Sequence, residues 1–333
     1  MYPLTVRVMR AVIIRGLVWL GPADRLELTN VGYNCVVCVK QVPDTKRITG
    51  QAMKEDGTVN RSALPAVFNP EDLNALEAAL AIRDCHGGSV TVVTMGIPSA
   101  AEVLREALMR GADRAVLITD RRAAASDTLA TSFILSCAAR KLGFDLVLCG
   151  RQAIDGDTAQ TGPQLAQKLD IPPVTYVEHI KSVENGKITV RRNTGQGWEE
   201  VAAKLPVLLT IMDTANQVRP PAARRIMKYK KARCQAELVL EAEGQLASAS
   251  EEQKEQRVNQ RCQELSAAGL LIDQWNLDDI QADLTWCGRD GSPTKVHRIQ
   301  SVVLAGGDYR EFAASEEGIA GLVGHLIEDH TIG

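Results

Sequence analysis

The stretch SVTVVTMGIPSAAEVLREALMRGADRAVLIT, residues 89–119, reads as strand, helix, strand. Its two ends, SVTVVTM and RAVLIT, are apolar runs rich in β-branched residues. The middle, SAAEVLREALMRG, repeats its apolar residues at helical spacing until Gly111 stops it. A helix between two such strands makes a right-handed crossover, and strands joined that way lie parallel with both faces covered.

The same grammar extends in both directions. Upstream, CVVCV (35–39) reads as a buried strand, and NPEDLNALEAALAIRD (69–84) as a helix with Leu73, Leu76 and Leu80 on one face and Asn69 or Asp72 as its cap. Downstream, SDTLATSFILSCAARKLG (126–143) is a helix ended by Gly143, and DLVLCG (145–150) a strand. The grammar then changes. VTYVEHIKSVENGKITVRRN (174–193) is two alternating runs around Asn185-Gly186, a hairpin signal, and LPVLLTIMD (205–213) is a further apolar strand. The expected fold is therefore α/β: a doubly wound, mainly parallel Rossmann-like sheet with an added antiparallel hairpin and a C-terminal arm.

Three parts are expected along the chain. Residues 1–32 form an extension or a mis-assigned start; Arg15 interrupts its apolar run and no small-residue cleavage site follows. Residues 33–232 form the nucleotide-binding domain. Residues 233–333 hold a solvated helix, within the Glu- and Gln-rich stretch from about 235 to 268, and an arm containing RIQSVVLA (298–305) and EEGIAGLVGHLIEDH (316–330), too short to build its own core.

Composition narrows the function. With 333 residues, 45% hydrophobic and 24% charged, the chain can bury real cores. A net charge of -3 gives no global attraction to nucleic acid or to an anionic membrane. No apolar run approaches the roughly 20 residues of a membrane span, and a cytoplasmic location is expected in preference to a mitochondrial one. The eight cysteines show no secreted-protein framework, and Cys35 and Cys38 should point to opposite faces of their strand.

In a doubly wound sheet the ligand crevice opens beyond the carboxyl ends of the strands, where Met95, Gly96 and the loop GRQAIDGDTAQTGPQLAQKL (150–169) emerge. That loop carries two acids where such proteins hold phosphate. Asp157, three residues before Gln160, reads as a capping box, which makes the acid structural and leaves backbone amides for a ligand. Gly156 lets a backbone come close, while Thr158, Gln160 and Thr161 offer neutral hydrogen bonds. A phosphotransferase nucleophile in DGDT would stand directly at the strand end, but RQAI intervenes. A metal on the two carboxylates lacks further ligands nearby. The five histidines do not cluster and no nucleophilic triad is legible. No catalytic residue and no metal site is expected; a nucleotide-holding protein without catalytic groups is a carrier whose chemistry belongs to its cofactor.

Six ordered motifs make a family resemblance: VVCVKQVPDT (36–45), FNPED (68–72), VTMG (93–96), GADRAVLITD (111–120), LCGRQAIDGDTAQTGPQLA (148–166) and RRIMKYKKA (224–232). Together with GSPTKV (291–296) and LIEDHTI (326–332), they resemble the electron transfer flavoprotein beta subunit. The resemblance implies a heterodimer with an alpha subunit that holds FAD, and an adenine nucleotide in the crevice of this chain. By motif, that nucleotide would touch Cys38, Asn69, Pro70, Glu71, Asp72 and Met95. It would also touch Gly150, Arg151, Gln152, Ala153, Ile154, Asp155, Gly156, Asp157, Thr158, Ala159, Gln160 and Thr161.

A loop carrying Asn216, Arg219, Pro220, Pro221, Arg224, Arg225 and Met227 would grip an acyl-CoA dehydrogenase, as in fatty acid oxidation, and the C-terminal segment would wrap onto the alpha subunit. Two subtypes follow from the resemblance. One holds AMP here and passes electrons to an ETF-quinone oxidoreductase. The other holds a second FAD, takes hydride from NADH, and bifurcates the pair between a ferredoxin or flavodoxin and the alpha-subunit FAD. The DGDTAQ form resembles the bifurcating and nitrogen-fixation-associated members. A stress-protein-like ATP-binding module shares the sheet, but it needs neither the Pro-Pro loop nor the tail. An ATP pyrophosphatase needs a Ser/Gly-rich phosphate loop that KQVPDT does not offer.

Overall fold

The computed structural model describes residues 32–44, 64–246, 249–295 and 310–328, with the backbone of 13–14 and 17–18. The extension and the RIQSVVLA segment lie outside them, those short backbone pieces apart. Contacts divide the chain into one unit of residues 1–43 and 66–295 and a second of 44–65 and 296–333.

In the first unit, β1 (Tyr33–Cys38) is followed by two short strands, β2 (Gln41–Pro43) and β3 (Ala66–Phe68), which pair with each other. The chain then runs through α1 (Pro70–His86), β4 (Gly88–Met95), α2 (Ala101–Arg110) and β5 (Arg114–Ile118). Helix α3 (Thr128–Leu142) carries it back across β1 to β6 (Leu146–Gly150), and α4 (Thr161–Leu169) follows. The hairpin strands β7 (Pro173–Glu184) and β8 (Lys187–Asn193) turn at Asn185 and Gly186, whose φ values of 51° and 71° are those the Asn-Gly pair favours. Strands β9 (Trp198–Lys204) and β10 (Val207–Ile211) complete this part.

With β11 (Asp273–Trp275) from later in the chain, one sheet of nine strands results among the described residues, in the order β9-β8-β7-β10-β6-β1-β4-β5-β11. From β7 to β11 every neighbouring pair is parallel, and β7, β8 and β9 are antiparallel. From β1 the chain winds outward through β4 and β5, then crosses to β6 on the other side. The switch point therefore lies between β1 and β6.

Strand alternation feeds two cores. Cys35 and Val37 face α1 and α2, together with the buried Leu76, Leu80 and Leu104. Val36 and Cys38 face α3 and α4, with Ile134 and Leu165. Each such aliphatic side chain contributes about 1.5–3 kcal/mol of burial, and the doubly covered sheet is why β1, β6 and β10 read as unbroken apolar runs.

Three features depart from the sequence expectation. Strand β9, WEEVAAK, is polar and mostly exposed because it is the edge of the antiparallel part, so no buried run announces it. The one solvated helix expected over 235–268 is two, α6 (Gln235–Gln245) and α7 (Glu251–Ala267), which share a small core of Leu238, Ala242, Val258 and Leu265. Beyond them, β11 closes the open edge of β5, Leu277, Ile280 and Cys287 join the α3 face, and the short helix α8 (Gly288–Gly291) follows. An uncovered strand edge and a half-buried helix face supply the partners that this segment lacks by itself.

In the second unit, α9 (Glu316–Glu328) exposes Ile319, Leu322, Val323 and Ile327. No described helix is long and apolar enough to cross a membrane.

Candidate functional site at the sheet switch point

The carboxyl ends of β1 and β6 are tied by one carboxylate. Asp72, in the first turn of α1, accepts the Lys40 N–H through Oδ2 and the Gly150 N–H through Oδ1, both at 2.8 Å. Burial pushes its carboxyl up to about 7, against the hydrogen bonds from Gly150, Asn69 and Lys40 that favour the ionised form. Gly150 has no alternative: a Cβ there would stand 2.6 Å from Asp72 Oδ1 and 2.9 Å from Asp72 N.

The rest of the NPED turn grips the loop that follows β6. Glu71 accepts the Gln152 N–H at 2.9 Å and an Arg151 Nη2 donor at 2.7 Å. Asn69 donates to the Gln152 carbonyl at 2.9 Å and accepts the Ile154 N–H at 3.2 Å. Asn69 occupies the N-cap position of α1, yet its side chain caps nothing. Pro70, the first helical residue, has no N–H to satisfy, which leaves the amide group of Asn69 for the loop. The side chains of Asn69, Glu71 and Asp72 thus shape the crevice from behind.

The two acids of the loop resolve differently. Asp155 receives Lys40 Nζ on both oxygens, at 2.8 and 2.7 Å, so a cation from the end of β1 offsets its charge. Asp157 accepts Gln152 Nε2 at 3.1 Å and sits at φ 48°, with Ala159 at φ 52°. The capping box expected from Asp157 and Gln160 does not form, because two left-handed residues delay the helix. Helix α4 starts at Thr161, with Gln160 as an N-cap residue that supplies no side-chain bond. Gln160 instead accepts the Thr128 hydroxyl at 3.1 Å.

The first turn of α4 accordingly begins at the switch point without a side-chain cap, as a helix that receives an anion does. At Gly156 an added Cβ would meet nothing within 4 Å. That glycine is open to whatever approaches the loop, and no internal contact requires it. Thr158 is exposed and Thr161 half-buried beside it. Backbone amides, hydroxyls and one lysine paired with Asp155 thus gather at this end of the sheet.

No nucleophile is poised there. Cys38 is buried and desolvation pushes its thiol up to about 12; Cys149, beside it, is raised well above its ordinary value for the same reason. Met95 is half-buried and packs on the α3 face.

Lys40 and Thr128, which bond to Asp155 and Gln160, are residues of this region that sequence reasoning did not single out. Each has a legible signal, since Lys40 stands two residues beyond β1 and Thr128 is the first residue of α3 at the end of the β5 connection.

The basic loop divides sharply. Asn216 exchanges hydrogen bonds with Asn74, donating to its carbonyl at 3.0 Å and accepting its amide at 3.1 Å. Arg219 holds Glu77 through Nε and Nη2, at 2.8 and 2.9 Å, and Asp84 through Nη1 at 2.8 Å. Arg225 donates to the carbonyls of Leu108 and Ala112. These three fasten the segment to α1 and α2. Pro220, Arg224 and Met227 remain exposed and Pro221 half-buried, with Arg224 and Met227 on α5 (Ala223–Tyr229).

A mostly parallel sheet of this winding, covered by helices on both faces, defines a doubly wound α/β class of protein. Residues 56–237 match the family described as Electron transfer flavoprotein domain. The electron transfer flavoprotein subunit beta of Clostridium acetobutylicum is 38% identical over 299 residues, covering 90% of this chain and all of that protein. Protein FixA of Sinorhizobium fredii is 41% identical over 272 residues, 79% of this chain and 81% of its own length. Caffeyl-CoA reductase-Etf complex subunit CarD of Acetobacterium woodii is 40% identical over 300 residues, 89% and 99% of the two chains. The chain belongs to the electron transfer flavoprotein family, as a beta subunit, and its function is electron transfer.

Proposed function

We propose that this beta subunit holds an adenine nucleotide, FAD in preference to AMP, in the crevice between β1 and β6. The observation that carries the reading is the uncapped start of α4 beside the open Gly156, at the point where the strand order reverses. Thr158, Gln160 and Thr161 would offer hydroxyl and amide groups to the ligand, and the Asn69, Glu71 and Asp72 turn would hold the loop in place behind it. Bound FAD would supply two-electron and one-electron redox chemistry; the protein's part is to orient it and to exclude competing groups.

The DGDTAQ loop and the likeness to CarD, named for a caffeyl-CoA reductase–Etf complex, favour a bifurcating subunit that takes electrons from NADH and passes them to a ferredoxin or flavodoxin and to the alpha-subunit FAD. The second reading is a single-flavin carrier with AMP in this crevice, passing electrons to an ETF-quinone oxidoreductase. The partner in both is an alpha subunit, and the exposed apolar side of α9 is the surface we assign to it. Docking to an acyl-CoA dehydrogenase falls to Pro220, Arg224 and Met227, because the neighbouring arginines are already engaged.

The test is the FAD and AMP content per heterodimer after co-expression with the alpha subunit and acid release of bound nucleotides. Two FAD and no AMP is the expected result. One FAD with one AMP makes this subunit the structural half of a single-flavin carrier and overturns the FAD assignment.

A further inference from the structure

Tyr176 lies in β7 opposite Thr210, where the register between β7 and β10 shifts between Leu209 and Ile211. Its φ is 58°. An irregularity of this kind takes glycine or asparagine without strain, whereas a ring-bearing residue in the left-handed region is an outlier. The conformation is pinned by Thr210, itself buried, whose hydroxyl accepts the Tyr176 N–H at 3.0 Å.

The ring so placed is 38% exposed and lies under the guanidinium of Arg151, 5.9 Å from ring centroid to Cζ. Arg151 directly follows β6. Its Nη2 is anchored on Glu71, while its Nε is buried with no hydrogen-bond partner. A strained ring early in β7, level with the carboxyl ends of β10 and β6, and a fixed guanidinium with one donor unfilled thus stand together. Folding alone would be served better by glycine at 176, and strain retained beside a ligand loop points to function.

We infer that Tyr176 and Arg151 form the wall of the crevice against which the flat heteroaromatic ring of the bound nucleotide stacks. The inference rests on the nucleotide reading above and adds to it the group that selects for a planar ring. Stacking on a tyrosine whose other face is covered by a guanidinium loses little conformational freedom on binding.

The heterodimer stripped of nucleotide in this subunit is titrated separately with AMP and with FAD, for the wild type and for Tyr176→Gly, Tyr176→Asn and Tyr176→Phe. Both Gly and Asn tolerate the left-handed backbone, so their melting temperatures should stay within a few degrees of wild type. Their dissociation constants should rise by about three- to tenfold, while Tyr176→Phe stays within about twofold. Equal weakening for AMP and FAD assigns the wall to adenine; weakening for FAD alone assigns it to the isoalloxazine. Gly and Asn variants that bind both nucleotides as tightly as the wild type overturn the inference and leave the nucleotide reading intact. A wild-type heterodimer that takes up neither nucleotide in this subunit removes both.

Discussion

A carboxyl group that closes the ends of two strands works as an acceptor, yet burial disfavours its charge. Asp72 meets both conditions, and its folded pKa of about 7 stands above the ordinary 3.8. The folded protein holds that proton more tightly than the unfolded chain does. The stability this adds is fully present below about pH 4 and is lost as the pH rises through about 7. Between pH 5 and pH 8 the unfolding free energy of the wild type should fall, relative to Asp72→Asn, by on the order of 2–3 kcal/mol. Urea midpoints at the two pH values measure it, and parallel profiles for the two proteins would show that the group does not titrate in this window. The identity of Asp72 as a site-region residue is legible in NPED, but its role is not. Sequence places an acid in a first helical turn, where capping or the helix dipole is the ordinary explanation. Only the proximity of two strand ends makes it a clamp.

Helices α4 and α5 show how one contact fixes an element. Gly162 in α4 lies so close to β10 that a Cβ would meet Thr210 Cγ2 at 2.7 Å and Cys149 Sγ at 3.0 Å. Gly162→Ala should displace the start of α4 and destabilise the protein by about 1–3 kcal/mol in chemical denaturation; an unchanged midpoint would mean that the helix gives way without cost. The loop leading to α5 allows a sharper separation. Arg219→Ala removes bonds to Glu77 and Asp84 and should cost about 1–2 kcal/mol of stability. Arg224→Glu, on an exposed position, should leave the melting temperature unchanged and slow electron exchange with an acyl-CoA dehydrogenase. Equal dehydrogenase kinetics for wild type and Arg224→Glu would remove α5 from the docking surface. The sequence shows only a cluster of cations around Pro220 and Pro221, and cannot tell those with internal partners from those without.

At the scale of the whole molecule, the first unit satisfies its own sheet and both faces, whereas α9 carries Ile319, Leu322, Val323 and Ile327 exposed along 13 residues. Spacings of three and four residues put these on one side of the helix, the pattern of a buried stripe. Leu322→Glu together with Val323→Glu should abolish co-purification with the alpha subunit while the far-ultraviolet circular dichroism of this chain is unchanged. Retention of the heterodimer would place the alpha-subunit contact elsewhere.

The sequence by itself determined the α/β class, the parallel strands, the hairpin at Asn185-Gly186 and the loop after β6. Each of these is written in local periodicity, and backbone hydrogen bonding converts local periodicity into elements. It did not determine β9 or the division of 235–268 into two helices, since a polar edge strand and a polar helix lack a contrasting buried face. The tertiary structure alone decided which acids are engaged and how. Lys40 with Asp155, Asp72 with the ends of β1 and β6, and Tyr176 with Arg151 are separated by 115, 32 or more, and 25 residues along the chain. Such pairs are set by the winding of the sheet, because a charge or a ring finds its partner in space and leaves no periodic mark on the sequence.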